Sequence, residues 1–305
     1  MSNQAVKMDN QPSLQAPKKI KPSHPKVERW KAFYKQLKKN KMAMAGGAII
    51  LFYLILAVAA PVIAPYDPLA IDLGNKLATP SWEHWMGTDD KGRDILSRIL
   101  YGAQLSLGVG VVSVSIGAFF GIILGLFAGY YGKWIDTFIS RFIDVLLAFP
   151  GILLALAIIS ALGPSMINVM IAVGIFSIPT FARIVRGSTL SVKKMEYVDA
   201  IRSLGANDFK IIFVHILPNI LSPVIVQGTL RLATAILTAA GLSFLGMGAQ
   251  PPTPEWGAML SSGRNFLWQA PHLATFPGLA IATIVLGFNL FGDGLRDALD
   301  PRLKQ

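Results

Sequence analysis

Residues 99–132 read ILYGAQLSLGVGVVSVSIGAFFGIILGLFAGYYG, 34 consecutive positions without Asp, Glu, Lys or Arg. A membrane-spanning helix needs about 20 mostly apolar residues, so this run is long enough to cross a bilayer. It is not isolated. Residues 43–66, 145–182, 211–230, 232–254 and 265–292 are equally free of these charges. Over all 305 residues 53% are hydrophobic and 15% charged, where soluble domains average about 25% charged. The bilayer is the main solvent.

Working outward, spans fall at about 44–64, 105–129, 138–161, 166–182, 212–244 and 272–291. The expected fold is an all-α membrane protein of six transmembrane helices with both termini on one side. The third and fourth spans share the turn Leu162, Gly163, Pro164, Ser165, and Pro150 and Pro179 are expected to bend them, as membrane helices tolerate when neighbours satisfy the freed carbonyls. Lys and Arg are retained on the cytoplasmic side. With the N-terminus inside, inner segments carry 22 of them and outer segments 5, namely Lys76, Lys91, Arg93, Arg98 and Arg264. Both termini are therefore assigned to the cytoplasm. The organisation reads as a tail and basic interfacial helix at 1–41, a first transmembrane helix at 42–66 and an extracytoplasmic loop at 67–104. A five-helix core at 105–291, with a cytoplasmic loop at 183–211, precedes a cytoplasmic tail at 292–305.

The net charge of +11 does not indicate nucleic acid, because Lys and Arg sit between apolar spans and not along one face of a soluble module. Residues 1–25 are polar, carry Pro12, Pro17, Pro22 and Pro25, and read as a disordered tail. In 26–41, Trp30, Phe33, Tyr34 and Leu37 recur at i, i+3, i+4 and i+7 among lysines. That is the pattern of a basic helix lying in the membrane interface, the alternative being a solvated basic helix. Ala57, Val58 and Ala59 resemble a signal-peptide cleavage site, but the preceding basic region is about 43 residues long and the apolar run exceeds a 7–15-residue h-region. Without Cys the chain has no disulfide framework, thiolate chemistry or Cys-ligated metal.

Gly117, Gly121, Gly125 and Gly129 form a smooth stripe on the second span. Such a stripe lets another helix approach closely, either inside this subunit or on a partner chain. In the inner loop, residues 191–204 form a short helix with Gly205 as its left-handed stop. Met195, Val198, Ile201 and Leu204 give that helix an apolar side. Outside the membrane such a side needs cover, from the chain's own helix ends or from another protein.

Residues 196–205, EYVDAIRSLG, followed by HILPN at 215–219, resemble the "EAA" loop of integral-membrane permease subunits of binding-protein-dependent ABC importers. GTDDKGRDILSR at 87–98, PPTPEWG at 251–257 and DGLRDALDPR at 293–302 are similar to the C-type permease of dipeptide and oligopeptide importers. The resemblance runs from about residue 30 to the C-terminus. It implies the type I importer permease fold, a homologous second permease subunit, two ABC ATPase subunits and an extracytoplasmic solute-binding protein, in the cytoplasmic (inner) membrane of a prokaryote. In that family the loop helix enters a cleft on the ATPase, so closure of the ATPase dimer reaches the spans. Glu196, Ala200, Arg202 and Gly205 match the family pattern, while Asp199 replaces the usual Glu, Ile201 the second Ala and His215 an aliphatic residue. The ATPase-coupling set implied is Glu196, Tyr197, Asp199, Ala200, Ile201, Arg202 and Gly205. ATP and Mg are expected on the partner ATPase subunits, with no catalytic residue, cofactor or metal in this chain. Its nearest approach to a phosphate-binding Gly-x-x-x-x-Gly-Lys-Ser/Thr loop, Gly132 and Lys133, is followed by Trp134 and has Phe127 at the first glycine position.

The remaining constellations have plainer readings. His84, Glu83, Asp89, Asp90 and Asp94 cluster in the outer loop, but their spacing fits no ligand motif, and a folded loop contacting the binding protein is expected. Asp144 follows Arg141 by one turn, which suggests a local ion pair, with a proton relay as the alternative. Trp256 and Trp268 suggest an interfacial belt, and Glu255 beside Pro254 suggests turn chemistry. Arg231 is the sharpest residue, because a charge at mid-membrane costs at least about 2.5–3.5 kcal/mol and no acid lies between residues 209 and 254. Its partner must come from another span, another chain or the cargo. We assign it to the translocation pathway, against a snorkelling or interchain structural role. The expected function is a permease subunit moving di- or oligopeptides inward by alternating access driven by partner ATPases. The alternatives are a non-peptide solute such as a metal chelate, or an ion-coupled secondary transporter, which needs an intramembrane ion site or inverted repeats.

Overall fold

The computed structural model describes residues 36–299. The expected tail at 1–25, most of the basic helix at 26–41 and residues 300–305 lie outside the described residues. The helices are α1 (Lys41–Ile63), α2 (Ile95–Tyr131), α3 (Lys133–Ala148), α4 (Gly151–Leu162) and α5 (Met166–Val192). They continue as α6 (Glu196–Ser203), α7 (Asp208–Phe244), α8 (Trp256–Gly263) and α9 (His272–Leu299).

α1, α2, α5, α7 and α9 are each long and apolar enough to cross a membrane. The third crossing, expected as one helix over 138–161, is broken: α3 and α4 meet at 89°. Phe149 is extended, with φ −92° and ψ 135°, the conformation a following proline favours, and Pro150 starts α4 afresh. Pro179, by contrast, lies within α5 without ending it. α4 has 12 residues, so it spans only about 18 Å of a hydrocarbon core about 30 Å thick. α3 must supply the rest of the path.

Two packing registers fix the topology. A Cβ on Gly117, Gly121, Gly125 or Gly129 of α2 would lie within 2.7 Å of the Cβ of Ser177, Phe181, Val185 or Thr189 of α5, respectively. Both series advance by four, so α2 and α5 run parallel and the α3–α4 segment between them recrosses the membrane. The glycine stripe thus packs inside the subunit. α1 and α9 run antiparallel, with Gly46 against the Gly287 carbonyl and Gly294 against Ala43. Asn40, which caps α1 by accepting from the Ala43 amide at 3.1 Å, also donates to Asp297 Oδ2 at 3.2 Å. Both described ends therefore share the side that carries α6, here termed the inner side.

Helices overrun the expected loops. α2 starts at Ile95, inside the loop expected at 67–104, because Asp94 caps it by accepting from the Ser97 amide at 2.8 Å. α5 continues to Val192 and α7 starts at Asp208, which shortens the inner loop expected at 183–211. The end of an uncharged run marks the lipid boundary, and a helix continues beyond it wherever its backbone bonds remain intact.

The outer loop is stitched by buried charge. Asp89 accepts from the Arg93 amide at 3.0 Å and from Arg93 Nε at 2.7 Å, and Arg98 Nε lies 3.6 Å away. Arg98 Nη1 donates to the carbonyls of Pro68 and Pro252, which joins three outer segments. His84 Nδ1 is 2.9 Å from Asp94 Oδ1. Apart from the His84–Asp94 contact, the aspartates that read in sequence as a cluster thus bond to Arg93, Arg98 and Ser97.

Candidate functional site

α6 is an eight-residue helix, Glu196–Ser203, shorter than the 191–204 helix expected. Residues 191 and 192 belong to α5, and the turn at Lys193 and Lys194 separates the two helices. Leu204 closes α6 and Gly205 takes φ +81°, the left-handed conformation anticipated for the stop. Its amide donates to the Arg202 carbonyl at 3.0 Å.

Three contacts seat this helix. Val198 is fully buried and Ile201 half-buried against the main core. Tyr197 donates its hydroxyl to the His215 carbonyl at 3.3 Å and accepts from Asn219 Nδ2 at 3.0 Å. Arg202 places its guanidinium 5.9 Å from the Tyr130 ring centroid and 3.2 Å from Asp199. Glu196, Asp199, Ala200 and Leu204 remain exposed, Leu204 by 88%. The apolar side expected from Met195, Val198, Ile201 and Leu204 is therefore split: Val198 and Ile201 face inward, while Met195 and Leu204 face out. At about 100° per residue, Met195 and Leu204, nine positions apart, lie on opposite sides of the helix axis, so all four cannot share one buried stripe.

Tyr130, Asp208 and Lys193 were not singled out in the sequence, and Asn219 only as the last residue of the HILPN string. Lys193 Nζ donates to the Tyr130 carbonyl and lies over its ring. The chain behind α6 then enters a π-helical segment, Ile211–Ile216, before returning to α-helix at Leu217. Such π segments recur at functional sites. The sequence signal for this stretch was the HILPN string at 215–219, in which Pro218 cannot donate its own amide.

Arg231 lies midway along α7, half-buried, and donates from Nη2 to Thr180 Oγ1 of α5. Its Cζ is 5.7 Å from the Phe176 ring centroid. The intrachain partner is thus a hydroxyl and an aromatic face. Asp144 does not pair with Arg141 as expected; it meets Arg183 of α5 at 3.0 Å. Asp136 grips Arg186 through two bonds of 2.5 and 2.6 Å. These pairs bind α3 to α5 across the broken crossing, which the local i, i+3 reading missed.

On the outer side, Trp256 is fully buried and donates Nε1 to the Ile99 carbonyl at 3.0 Å, which overturns its expected place in an interfacial belt. Trp268 is fully exposed. Glu255 is 2% exposed and does more than shape a turn. It caps α8 by accepting from the Ala258 amide at 2.9 Å, and it accepts from Ser106 of α2 at 3.3 Å. Burial raises its carboxyl pKa above the ordinary glutamate value, against the lowering effect of these hydrogen bonds.

The architecture and the inner loop define a multi-pass, all-helical membrane permease subunit of an ABC importer. The description "Binding-protein-dependent transport system inner membrane component" matches residues 121–305, and "N-terminal TM domain of oligopeptide transport permease C" matches residues 28–80. The chain belongs to this binding-protein-dependent permease family. It is 52% identical to the dipeptide transport system permease protein DppC of Alkalihalophilus pseudofirmus, over 91% of each chain. It is 51% identical to the glutathione transport system permease protein GsiD of Escherichia coli, over 96% of this chain and 97% of that protein. Among solved structures, the inward-facing MetNI methionine ABC transporter matches with a TM-score of 0.54 at 18% identity, over 68% of this chain and 98% of that one. That likeness is one of fold.

Proposed function

We propose that the protein is one of two homologous permease subunits of an importer that moves short peptides into the cytoplasm of a prokaryote. ATP and Mg are held by two ABC ATPase subunits, one of which docks on α6, and a solute-binding protein delivers cargo at the outer loops. Glu196, Asp199, Ala200 and Leu204 form the outward docking side, while Tyr197, Ile201 and Arg202 carry its displacement into the spans and Gly205 sets its end. Closure and opening of the ATPase pair then alternates access to a pathway lined in part by α5 and α7.

The observation that carries this reading is the seating of α6. A short helix standing outside the membrane presents exposed acids and a small residue, yet is tied by Arg202 to the end of α2 and by Tyr197 to the start of α7. A helix that served only to cover its own chain would have no need of both links. The peptide cargo is supported by relatives named for dipeptide and glutathione transport.

The test is reconstitution of the permease pair, ATPases and binding protein in proteoliposomes. Peptide-loaded binding protein should stimulate ATP hydrolysis and drive peptide into the lumen matching the cytoplasm, without any ion gradient. Uptake that follows a proton or sodium gradient and ignores ATP would refute the proposal. ATP-driven uptake of a metal chelate but no peptide would keep the machinery and change the cargo.

A further inference from the structure

α5 has two opposed faces. One, carrying Ser177, Phe181, Val185 and Thr189, is closed onto the glycine stripe of α2. Phe176, Thr180, Arg183 and Gly187 recur at i, i+4, i+7 and i+11 on the other, where a Cβ on Gly187 would meet nothing within 4 Å and the Arg183 side chain is 59% exposed. Arg231 reaches from α7 onto this second face, to Thr180 and Phe176.

Both helices place the contact at the same depth. Thr180 lies fourteen residues from the outer end of α5 and Arg231 thirteen from the outer end of α7, about 20 Å in each case at 1.5 Å per residue. That is deep within the membrane. Nearby cations of α5 have acids, Arg183 with Asp144 and Arg186 with Asp136. Arg231 has no carboxylate within ion-pair distance among the described residues. A charge kept at this depth by neutral groups alone still lacks the anion that would offset its desolvation.

We propose that Arg231 is the carboxylate-binding residue of the translocation pathway, its guanidinium aimed by Thr180 and Phe176 to receive the terminal carboxylate of a peptide as it crosses. A guanidinium has five N–H donors, so the bond to Thr180 leaves a pair for the parallel grip that a planar fork gives a carboxylate and an ammonium cannot. The partner's identity follows from that chemistry: a monoanionic, planar oxygen pair carried at a peptide's C-terminus. This rests on the peptide reading given above.

The experiment is uptake by the full reconstituted complex of one peptide series with free and amidated C-termini, each supplied on saturating loaded binding protein, at matched permease abundance. Arg231→Met should lower uptake of the free-acid series by about tenfold or more, the effect of losing a hydrogen bond to a charged group, and leave the amidated series near the wild-type rate. Arg231→Lys should lie between, and it carries the comparison if the Met variant fails to assemble. If the binding protein rejects amidated peptides, equilibrium binding of both series to the detergent-purified complex gives the same contrast. An equal change in both series, or none, overturns the proposal in favour of a structural role against the second permease or lipid. If wild type takes up neither series, the peptide reading itself fails, and this assignment with it.

Discussion

Tyr130, the penultimate residue of α2, donates a 2.6 Å hydrogen bond to Oδ1 of Asp208, the first residue of α7. The bond closes the inner loop at its base. Between these two residues along the chain lie α3, α4, α5 and α6, yet the two long helices meet beneath α6. Arg202 and Lys193 lie over the same ring. A push on α6 therefore reaches α2 and α7 together.

Removing this tie should loosen the link without dismantling the fold. Tyr130→Phe keeps the ring under both cations and removes only the hydroxyl, which bonds Asp208 and Arg202, a loss of about 1 kcal/mol for each partly exposed bond. The assembled complex should persist, while peptide transported per ATP hydrolysed falls severalfold. The ratio is measured by paired uptake and phosphate-release assays in the same proteoliposomes. An unchanged ratio would mean that the ring alone seats α6.

Gly205 tests the end of that helix. Its φ is +81° and a Cβ there would meet nothing within 4 Å, so any penalty comes from the backbone and not from crowding. Left-handed geometry costs an ordinary L-residue about 1–2 kcal/mol, and a β-branched one more. Gly205→Val should uncouple ATP hydrolysis from transport with the complex intact, and Gly205→Asn, which tolerates this region, should do so far less. Wild-type coupling in the Val variant would count against α6 as the docking element.

The sequence made the spans legible because lipid imposes a crude rule, about 20 apolar residues per crossing, and residues 99–132 state it without ambiguity. It did not reveal the 89° break at Phe149 and Pro150, because a proline signals a bend but not its angle. The EAA-like string located α6 by residue type, and Gly205 marked its end. Tyr130 and Asp208 stayed hidden because they work through each other from positions far apart along the chain, and a single sequence carries no sign of that pairing. Asp144 shows the same limit: local spacing offered Arg141, whereas packing brought Arg183.

The glycine stripe predicts a contrast within one helix. A methyl added at Gly121 would stand 2.5 Å from Phe181 Cβ and 2.9 Å from the Ile178 carbonyl, whereas at Gly108 it would meet nothing within 4 Å. Gly121→Ala should destabilise the subunit by about 1–3 kcal/mol through overpacking. Gly108→Ala should leave it unchanged or more stable by up to about 1 kcal/mol, since Gly is a poor helix former. Thermal unfolding of the purified protein in detergent decides between them.

Orientation can be read chemically, since the chain has no Cys of its own. Trp82 is 95% exposed in the outer loop and Leu204 88% exposed beside α6. A single Cys replacing Trp82 should react with a membrane-impermeant maleimide added to intact spheroplasts. A single Cys replacing Leu204 should react only after permeabilisation. The reverse pattern would invert the topology derived from the Lys and Arg distribution.

Glu255 predicts a pH dependence of stability. The unfolded chain releases the Glu255 proton near the ordinary value of about 4.3, but burial between α2 and α8 keeps the folded carboxyl protonated to higher pH. Between those two values the folded state binds more protons than the unfolded, so stability falls as pH rises, by up to about 1.4 kcal/mol per unit. The contribution is fully present below the unfolded value and is lost as pH passes through the folded one. Glu255→Gln cannot titrate, yet keeps a side-chain oxygen to accept from the Ala258 amide. Compared across pH 4–8 (a range set by about 4.3 at its lower end), the variant should therefore gain stability relative to wild type as pH rises, and the difference should level off once the wild-type carboxyl has ionised. The readout is the unfolding midpoint in detergent, followed by tryptophan fluorescence, with Trp256 buried directly beside the site. Parallel pH profiles for the two proteins would show that the Glu255 carboxyl titrates alike in the folded and unfolded chains, its bonds to Ser106 and Ala258 offsetting its burial.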